Sequence, residues 1–242
     1  MRRFAPTTIY NILSEELVNL QTAVDNRTET IYLFWGDRAI GKTVAAEKVA
    51  EEFPNVWYVP LTPFNTKSES AFVRGLVEAM GKPVKWGMSA NLKVLTEEVG
   101  KQIFILDNAE ELFNLKSRTP KTPPLLRVLK FLVERGHGFA LLSNEDVPPK
   151  LAVYKEVWKR IRKIVKFQTL YKEDITAFAQ AYEVKVKETE RIFALAEKNG
   201  LTAIDLDELF YNATLNGFEE VDLKTFKTLL RYHVEEKREL TA

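Results

Sequence analysis

Eight consecutive residues have the composition and spacing of a phosphate-binding loop. They match G-x-x-x-x-G-K-[ST] in full, as Gly36, Asp37, Arg38, Ala39, Ile40, Gly41, Lys42 and Thr43. In such a loop the glycines let backbone N–H groups surround phosphates, the lysine contacts the β and γ phosphates, and the hydroxyl is a ligand of Mg²⁺. The apolar run Thr30–Trp35 precedes the loop and a helix-forming stretch follows it. The motif therefore predicts a site for ATP and Mg²⁺ at a helix N-terminus.

An acid follows the third apolar run of the chain. Gln102–Leu106 reads as a strand, and Asp107 comes directly after it. A carboxylate at this point can hold Mg²⁺ together with Thr43, commonly through water. The next residue is Asn108, whose amide cannot accept a proton, so we expect slow hydrolysis unless Glu110 or Glu111 reaches the attacking water. The alternative for these two glutamates is a solvated helix start.

Two further polar elements flank the later strands. Asn144 follows the fourth strand and can hydrogen-bond the γ phosphate or the attacking water, or it simply caps the loop before Pro148. Arg160 and Arg162 lie just ahead of the fifth strand, in a stretch with seven basic residues and one acid. An arginine here can complete the nucleotide site of a neighbouring subunit. The alternative is a solvated basic helix end.

Strand and helix patterns alternate over the first 170 residues. The predicted strands are Thr30–Trp35, Val56–Val59, Gln102–Leu106, Gly138–Leu142 and Lys163–Phe167. The predicted helices between them are Val44–Phe53, Ser68–Met80, Ala90–Val99, Leu125–Glu134 and Lys150–Trp158. This alternation predicts an α/β domain, a P-loop three-layer parallel sheet, over residues 1–170.

The pattern changes to helices alone after residue 170. The predicted helices are Lys172–Ala181, Lys187–Asn199, Asp205–Leu215 and Asp222–Glu239. They predict a small all-helical lid domain over residues 171–242.

Composition narrows the function classes. The 242 residues are 45% hydrophobic and 29% charged, which is typical of a globular protein, and the chain has no cysteine and two histidines. Disulfide frameworks and thiolate metal sites are excluded, and a zinc site has little support. With neither a membrane span nor a signal peptide in the sequence, we expect a cytoplasmic protein without a membrane partner.

Charge is unevenly distributed, although the net charge is only +1. Residues 1–170 carry 25 basic against 19 acidic residues, whereas residues 171–242 carry 10 against 15. The first part is therefore the candidate for anionic partners.

These features together resemble an AAA+ ATPase over nearly the whole chain. The resemblance rests on the phosphate loop, Asp107, Asn144, the basic element before the fifth strand and the helical lid. Within that superfamily the chain looks most similar to the target-selecting transposition ATPases of the MuB and TnsC type and to origin-binding initiators. The segments that carry this finer likeness are Pro60–Pro63, Arg160–Ile161, Phe167–Leu170, Lys172–Asp174, Ala213 and Phe226. Two departures are Asn108, where the family has glutamate, and Gly200–Leu209, which lacks the lid arginine.

The resemblance implies partners and further site residues. Such ATPases assemble as ATP-bound rings or helical filaments on duplex DNA, and their DNA contacts lie on the loops after strands two and three. The basic residues in those regions here are Lys67, Arg74, Lys93, Lys116, Arg118 and Lys121. For each one taken alone, a solvated surface is the favoured alternative. Contacts of this kind bind phosphates and give affinity without sequence specificity.

The predicted function is therefore an oligomeric, DNA-binding ATPase that recruits or activates a client protein, expected to be a transposase. One alternative is a helicase loader or replication initiator, which also binds DNA but serves a different client. Another is a signalling NTPase that switches protein contacts without DNA, an interpretation favoured by Asn108.

Overall fold

The computed structural model describes residues 2–115 and 122–241, the last six without their side chains. The chain divides into two compact units. The sheet unit comprises Ile12–Asp37 and Ala46–Phe167, and the helical unit comprises Met1–Asn11, Arg38–Ala45 and Gln168–Ala242. The eight-residue phosphate loop thus begins in the sheet unit and ends in the helical unit.

The sheet unit is built on five parallel strands in the order β2-β3-β4-β1-β5. Their bounds are β1 (Ile31–Trp35), β2 (Val56–Pro60), β3 (Ile103–Asp107), β4 (Gly138–Ser143) and β5 (Ile161–Lys166). Every residue of β3 and β4 is buried, as expected of inner strands covered by helices on both faces. The predicted parallel α/β fold is confirmed.

Strand register brings the ends of the strands together. Trp35 of β1 pairs with Ser143 of β4, and Pro60 of β2 pairs with Asp107 of β3. Because all the strands run in one direction, the residues that follow β1, β3 and β4 meet at one edge of the sheet, here called the carboxyl edge. The residues that precede the strands form the opposite, amino edge.

Helices of the sheet unit pack an apolar core around these strands. They are α1 (Thr8–Asp25), α2 (Lys42–Glu52), α3 (Glu69–Ala79), α4 (Met88–Lys93) with a π-helical turn Val94–Glu98, α5 (Pro124–Glu134), α6 (Val147–Ala152) and α7 (Lys155–Trp158). Of α1 and α2, the parts that start at Ile12 and at Ala46 belong to the sheet unit. Ser68 caps α3 as predicted, since its hydroxyl accepts a hydrogen bond of 3.1 Å from the N–H of Ala71. The core includes Phe72, Leu106 and Leu129, all buried.

Two helix predictions need correction. The sequence analysis places no element before Thr30, yet α1 begins at Thr8; its buried residues Leu13, Leu17, Leu20 and Val24 recur with helical spacing. The single predicted helix Lys150–Trp158 is two short helices, α6 and α7. The break lies at Val153–Tyr154, after α6 has started early on Val147 and the two prolines at its N-terminus.

The helical unit contains four main helices and a two-stranded parallel sheet. The helices are α8 (Lys172–Ala181), α9 (Thr189–Lys198), α10 (Ala203–Leu215) and α11 (Leu223–Thr241). The strands β6 (Lys185–Val186) and β7 (Glu220–Val221) pair with each other, which corrects the prediction of an all-helical region. Two-residue strands are too short to show the alternation by which a strand is recognised in sequence.

The core of the helical unit is formed by large apolar side chains of α8, α10 and α11, including Phe178, Phe210 and Phe226. The first turn of α10 is fixed by a reciprocal cap between Thr202 and Asp205. No helix in the described part of the chain is both long enough and apolar enough to cross a membrane.

Candidate functional site

The phosphate loop follows β1 directly, and its backbone bends sharply. Gly36 donates a hydrogen bond of 3.3 Å from its N–H to the carbonyl of Ser143, which ties the start of the loop to β4. Gly41 has φ = 91°, a conformation that side chains disfavour, and Ala39 has φ = 61°. Helix α2 begins at Lys42, so Lys42 and Thr43 occupy its first turn. The loop therefore has the turn and the helix N-terminus that phosphate binding requires.

A cavity of about 440 Å³ lies beside Gly41 within the helical unit. It is lined by Arg2, Arg3, Phe4, Ala5, Thr7, Gly41, Val44, Ala45, Phe178, Ala203, Ile204 and Asp207. The walls are mostly apolar, and Arg2 lies 3.5 Å from Asp207 as an ion pair. Its volume lies within the usual range for small-molecule pockets. An apolar pocket next to a phosphate loop suits the base and ribose of a nucleotide.

The start of α10 forms part of that cavity. Ala203 Cβ lies 3.7 Å from the position that a Cβ on Gly41 would occupy. Ile204 also lines the cavity and is half exposed, at 50%. The segment that lacks a lid arginine thus contributes an apolar wall next to the phosphate loop, without a positive charge of its own.

At the carboxyl edge of the sheet unit, Asp107 is buried and held by two hydrogen bonds. Tyr58 donates its hydroxyl to Oδ2 at 3.0 Å, and the N–H of Asn108 donates to Oδ1 at 2.9 Å. Sequence reasoning missed Tyr58. The signal for it lies in the parallel pairing of β2 with β3, which places the last residues of Val56–Pro60 beside Asp107.

Glu110 and Asn144 are brought together at the same edge. Asn144 donates its Nδ2 to Glu110 Oε1 at 3.4 Å, while Glu110 Oε2 is buried and has no hydrogen-bond partner among the described atoms. Buried carboxylate oxygens normally have hydrogen-bond partners, so this one, three residues after Asp107, is a candidate to accept a hydrogen bond from a water or a ligand group.

Glu111 differs from its neighbour because it has partners. Its Oε2 accepts from Asn114 at 2.8 Å and from Thr66 at 3.3 Å. These bonds tie the short 3₁₀ helix Ala109–Phe113 to the loop after β2. Of the two glutamates, Glu110 is the candidate for positioning water, and Glu111 has a structural role.

Asn108 adopts a left-handed backbone, with φ = 58° and ψ = 50°, and its side chain is exposed. Asparagine tolerates this conformation better than most residues, including glutamate. At the position where the resemblance predicts a glutamate, the chain therefore has a residue that suits the left-handed turn between β3 and the 3₁₀ helix.

The residues present fit a magnesium ion that is held largely by a nucleotide. No group of three or more His, Asp or Glu side chains suited to a metal exists in the described ranges. Thr43 and Asp107, the predicted ligands, would supply a hydroxyl and a carboxylate, and phosphate oxygens and water would complete the shell.

The two arginines before and within β5 have different surroundings. Arg160 lies at the amino edge, where its carbonyl accepts from the N–H of Ile31 at 2.8 Å. Its Nη2 donates to Glu134 at 2.5 Å, its Nη1 donates to the Glu156 carbonyl, and its Nε lies 2.9 Å from Glu29, without hydrogen-bond alignment. With 14% of its side chain exposed, Arg160 is occupied within its own chain.

Arg162 is exposed and forms no ion pair with any described residue. It is therefore free to act on another molecule, whereas Arg160 would first have to break its own contacts.

The predicted DNA-contacting residues fall into three groups. Lys67 is exposed in the loop after β2 and has no ion pair within residues 2–115 or 122–235. Arg74 pairs with Glu78 at 2.7 Å and Lys93 with Glu97 at 3.6 Å, both on exposed helix surfaces. Lys116, Arg118 and Lys121 lie outside the described residues.

Comparison with known proteins supports the AAA+ reading at the level of fold. No protein-family model matches the chain. The ATP-dependent target DNA activator B of Escherichia phage Mu is 27% identical over 191 residues, which covers 73% of this chain and 57% of that protein. The chain thus spans little more than half the length of this relative.

Solved structures of origin-recognition proteins share the architecture. The Aeropyrum pernix ORC2 protein, in its ADPNP-ADP complexes, superposes with a TM-score of 0.63 at 16% identity, covering 92% of this chain and 66% of that one. The Aeropyrum pernix ORC1 protein in complex with DNA gives a TM-score of 0.56 at 14% identity, covering 93% and 65%. The chain therefore shares its fold with these ORC proteins and is similar in sequence to the Mu target DNA activator.

Proposed function

We propose that the protein is an ATPase that binds duplex DNA without sequence specificity, oligomerises on it in the ATP-bound state, and recruits or activates a transposase. The observation that carries the ATPase part is the convergence of Asp107, Glu110 and Asn144 at the edge of the sheet from which the phosphate loop starts. The DNA and transposition parts are supported by the similarity to the Mu target DNA activator.

Each residue of the site has a chemical task in this proposal. Lys42 and the loop N–H groups bind the phosphates, and the cavity beside Gly41 takes the base. Glu110 orients the attacking water, while Asn144 donates a hydrogen bond to Glu110 and is assigned the γ phosphate as its second partner. Mg²⁺, held by Thr43 and Asp107, would neutralise phosphate charge.

Assembly gives Arg162 a task between subunits. A guanidinium offers a rigid fork of donors that suits the γ phosphate of a neighbouring molecule. We expect Arg162→Ala to bind nucleotide normally but to lose ATP-dependent assembly and turnover. Mixing it with Lys42→Ala protein should restore part of the activity, because some interfaces then pair an intact loop with an intact arginine. Normal assembly by Arg162→Ala in sedimentation velocity would rule out this role.

DNA binding is tested by fluorescence anisotropy with ATP, a non-hydrolysable ATP analogue, ADP and no nucleotide. We expect binding only with the first two, and an affinity that falls steeply with salt, by a slope of about 0.9 per phosphate contacted. Replacing Lys116, Arg118 and Lys121 together by Ala should weaken binding to all duplex sequences equally. Replacing Lys185, Lys198 and Lys227 of the helical unit removes the same charge and serves as the matched control. Absence of DNA binding in every nucleotide state would favour the signalling alternative.

A helicase loader or replication initiator remains the second candidate, because the origin-recognition proteins share the fold. The two candidate functions differ in the protein that the ATPase recruits, which is a transposase in one and a helicase in the other. Stimulation of strand transfer by a transposase, compared with loading of a helicase on the same DNA, separates them.

A further inference from the structure

Trp86 is the most exposed large apolar side chain of the described chain, with 99% of its surface accessible. It lies in the loop that joins α3 to α4, between the glycines Gly81 and Gly87. Tryptophan is usually largely buried, and its full exposure leaves a large flat apolar ring in water. Neither the nucleotide site nor the core of the sheet unit uses it.

The loop is constructed so that Trp86 stays exposed. Asn91 is 2% exposed, and its side chain clamps the backbone on both sides of Trp86. Its Oδ1 accepts from the N–H of Lys85 at 2.9 Å, and its Nδ2 donates to the carbonyls of Lys85 and Gly87 at 2.8 and 2.9 Å. Gly87 has φ = 87°, which favours glycine. The buried Asn91 amide makes three hydrogen bonds to this short loop and so fixes the backbone on both sides of Trp86. This backbone conformation holds the ring in solvent.

The charge around the ring is positive. Lys82 and Lys85 lie on the same loop, and residues 81–88 contain no acid. Lys82 is exposed and forms no ion pair within the described ranges, whereas Lys85 pairs with Glu98. The positive charge of this loop favours an anionic partner for the ring.

We propose that Trp86 contacts duplex DNA by partial insertion of its ring at a base step, with Lys82 on an adjacent phosphate. This inference rests on the proposed DNA binding and names a contact within it. Aromatic rings stack on any base, and apolar wedges flanked by cations insert at base steps and kink the duplex. The contact would therefore favour easily unstacked DNA, such as a duplex with a mismatch, without reading sequence.

The first test measures duplex affinity of the full chain with the ATP analogue. Trp86→Ala should weaken binding about 5- to 150-fold, the range found for loss of one base stack, and leave the salt slope unchanged because no charge is removed. Trp86→Phe should recover most of the affinity. Lys82→Ala should instead lower the salt slope by about one. The matched control is Tyr232→Ala, which removes an exposed aromatic from the helical unit.

The second test follows the ring itself. Acrylamide quenching of wild type and of Trp86→Ala, taken as a difference, isolates Trp86 from the other three tryptophans. We expect the ring to be shielded by DNA with the ATP analogue and unshielded by the analogue alone. Shielding by the analogue alone would assign Trp86 to an interface between copies of the chain. No shielding in either state would show that Trp86 does not contact DNA. Either result overturns the proposal.

The two proposals fail in different ways. If wild type binds no duplex in any nucleotide state, the proposed function fails and the DNA contact fails with it. If wild type binds and Trp86→Ala binds equally well, only the Trp86 contact is wrong. Unfolding of Trp86→Ala is not expected, because a fully exposed side chain supports no packing, and circular dichroism checks this directly.

Discussion

The two edges of the five-stranded sheet use polar residues in opposite ways. At the amino edge the polar side chains mostly bind one another. Arg160 forms ion pairs with Glu29 and Glu134, although its Nε lacks an aligned hydrogen bond. The buried ring of His137 accepts from the N–H of Gln102 at 3.2 Å and donates to the carbonyl of Leu95 at 2.8 Å. At the carboxyl edge Glu110 keeps a buried oxygen that has no hydrogen-bond partner among the described residues. Side chains that are paired within their own chain stabilise the fold, whereas a carboxylate oxygen without a partner is available to a ligand.

If this contrast is correct, carboxyl-edge changes reduce function without loss of stability, and amino-edge changes do the reverse. The largest expected effect is that of Lys42→Ala in the phosphate loop. It removes the charge that contacts the β and γ phosphates, so nucleotide affinity should fall about 100-fold or more while the fold stays intact. Fluorescence titration with a labelled nucleotide measures this. Unchanged affinity would contradict the assignment of the loop.

Glu110→Gln is expected to have the next largest effect, on turnover alone. An amide cannot take up a proton or polarise water in the same way, so phosphate release should slow by about 100-fold or more with nucleotide binding retained. Glu111→Gln is the matched control, because this neighbour is held by Asn114 and Thr66. Equal losses from both variants would show that the carboxyl edge works differently.

Arg160→Ala should act on stability. It removes a mostly buried guanidinium from two partly exposed glutamates, so the unfolding free energy should fall by about 1–2 kcal/mol, seen as a lower urea midpoint. Arg162→Ala, the control, loses an exposed side chain and should change stability by less than about 0.5 kcal/mol. If Arg160→Ala leaves stability unchanged, the amino-edge cluster is not structural.

His137 gives the amino edge a pH dependence. Burial lowers the pKa of this histidine below its ordinary value, because the charged ring would be desolvated, and this effect outweighs the backbone hydrogen bonds with Leu95 and Gln102, which act in the opposite direction. The stability this neutral ring contributes is complete above the unfolded pKa of about 6.5 and is lost as pH falls below it. Urea midpoints measured between about pH 7.5 and about pH 5 should fall more for wild type than for His137→Gln. Equal falls would exclude His137 as the cause.

Asn108→Glu is expected to have the smallest effect on turnover. Sequence reasoning alone predicts a clear gain from this change, because the family has glutamate there. With Glu110 already beside Asn144, and with a left-handed backbone that disfavours glutamate, we expect less than about a threefold change in phosphate release. A gain above about tenfold would show that the carboxyl edge lacks a functional carboxylate.

Sequence predicted the parts of this molecule that local chemistry determines. The strands from Thr30 to Trp35 and from Gln102 to Leu106 were evident because buried parallel strands are continuous apolar runs, and the phosphate loop because its glycines and lysine have fixed spacing. The different surroundings of Glu110 and Glu111 could not be predicted from the sequence. They depend on which side chain meets Thr66 and which meets Asn144, and both partners lie far away in the chain. The surroundings of Arg160 were hidden for the same reason, since Glu29 and Glu134 lie far from it in the chain.

The division of the chain also sets an order of events during synthesis. The sheet unit is complete once the ribosome has added Phe167, so its strands can pair while the rest of the chain is still being made. The segment Arg38–Ala45 belongs to the helical unit, whose core comes from residues after Gln168. A growing chain therefore contains Asp107 and Glu110 before it contains Ala203, which lies beside Gly41 in the finished helical unit. The sheet unit can begin to fold before the residues that form the core of the helical unit have been made.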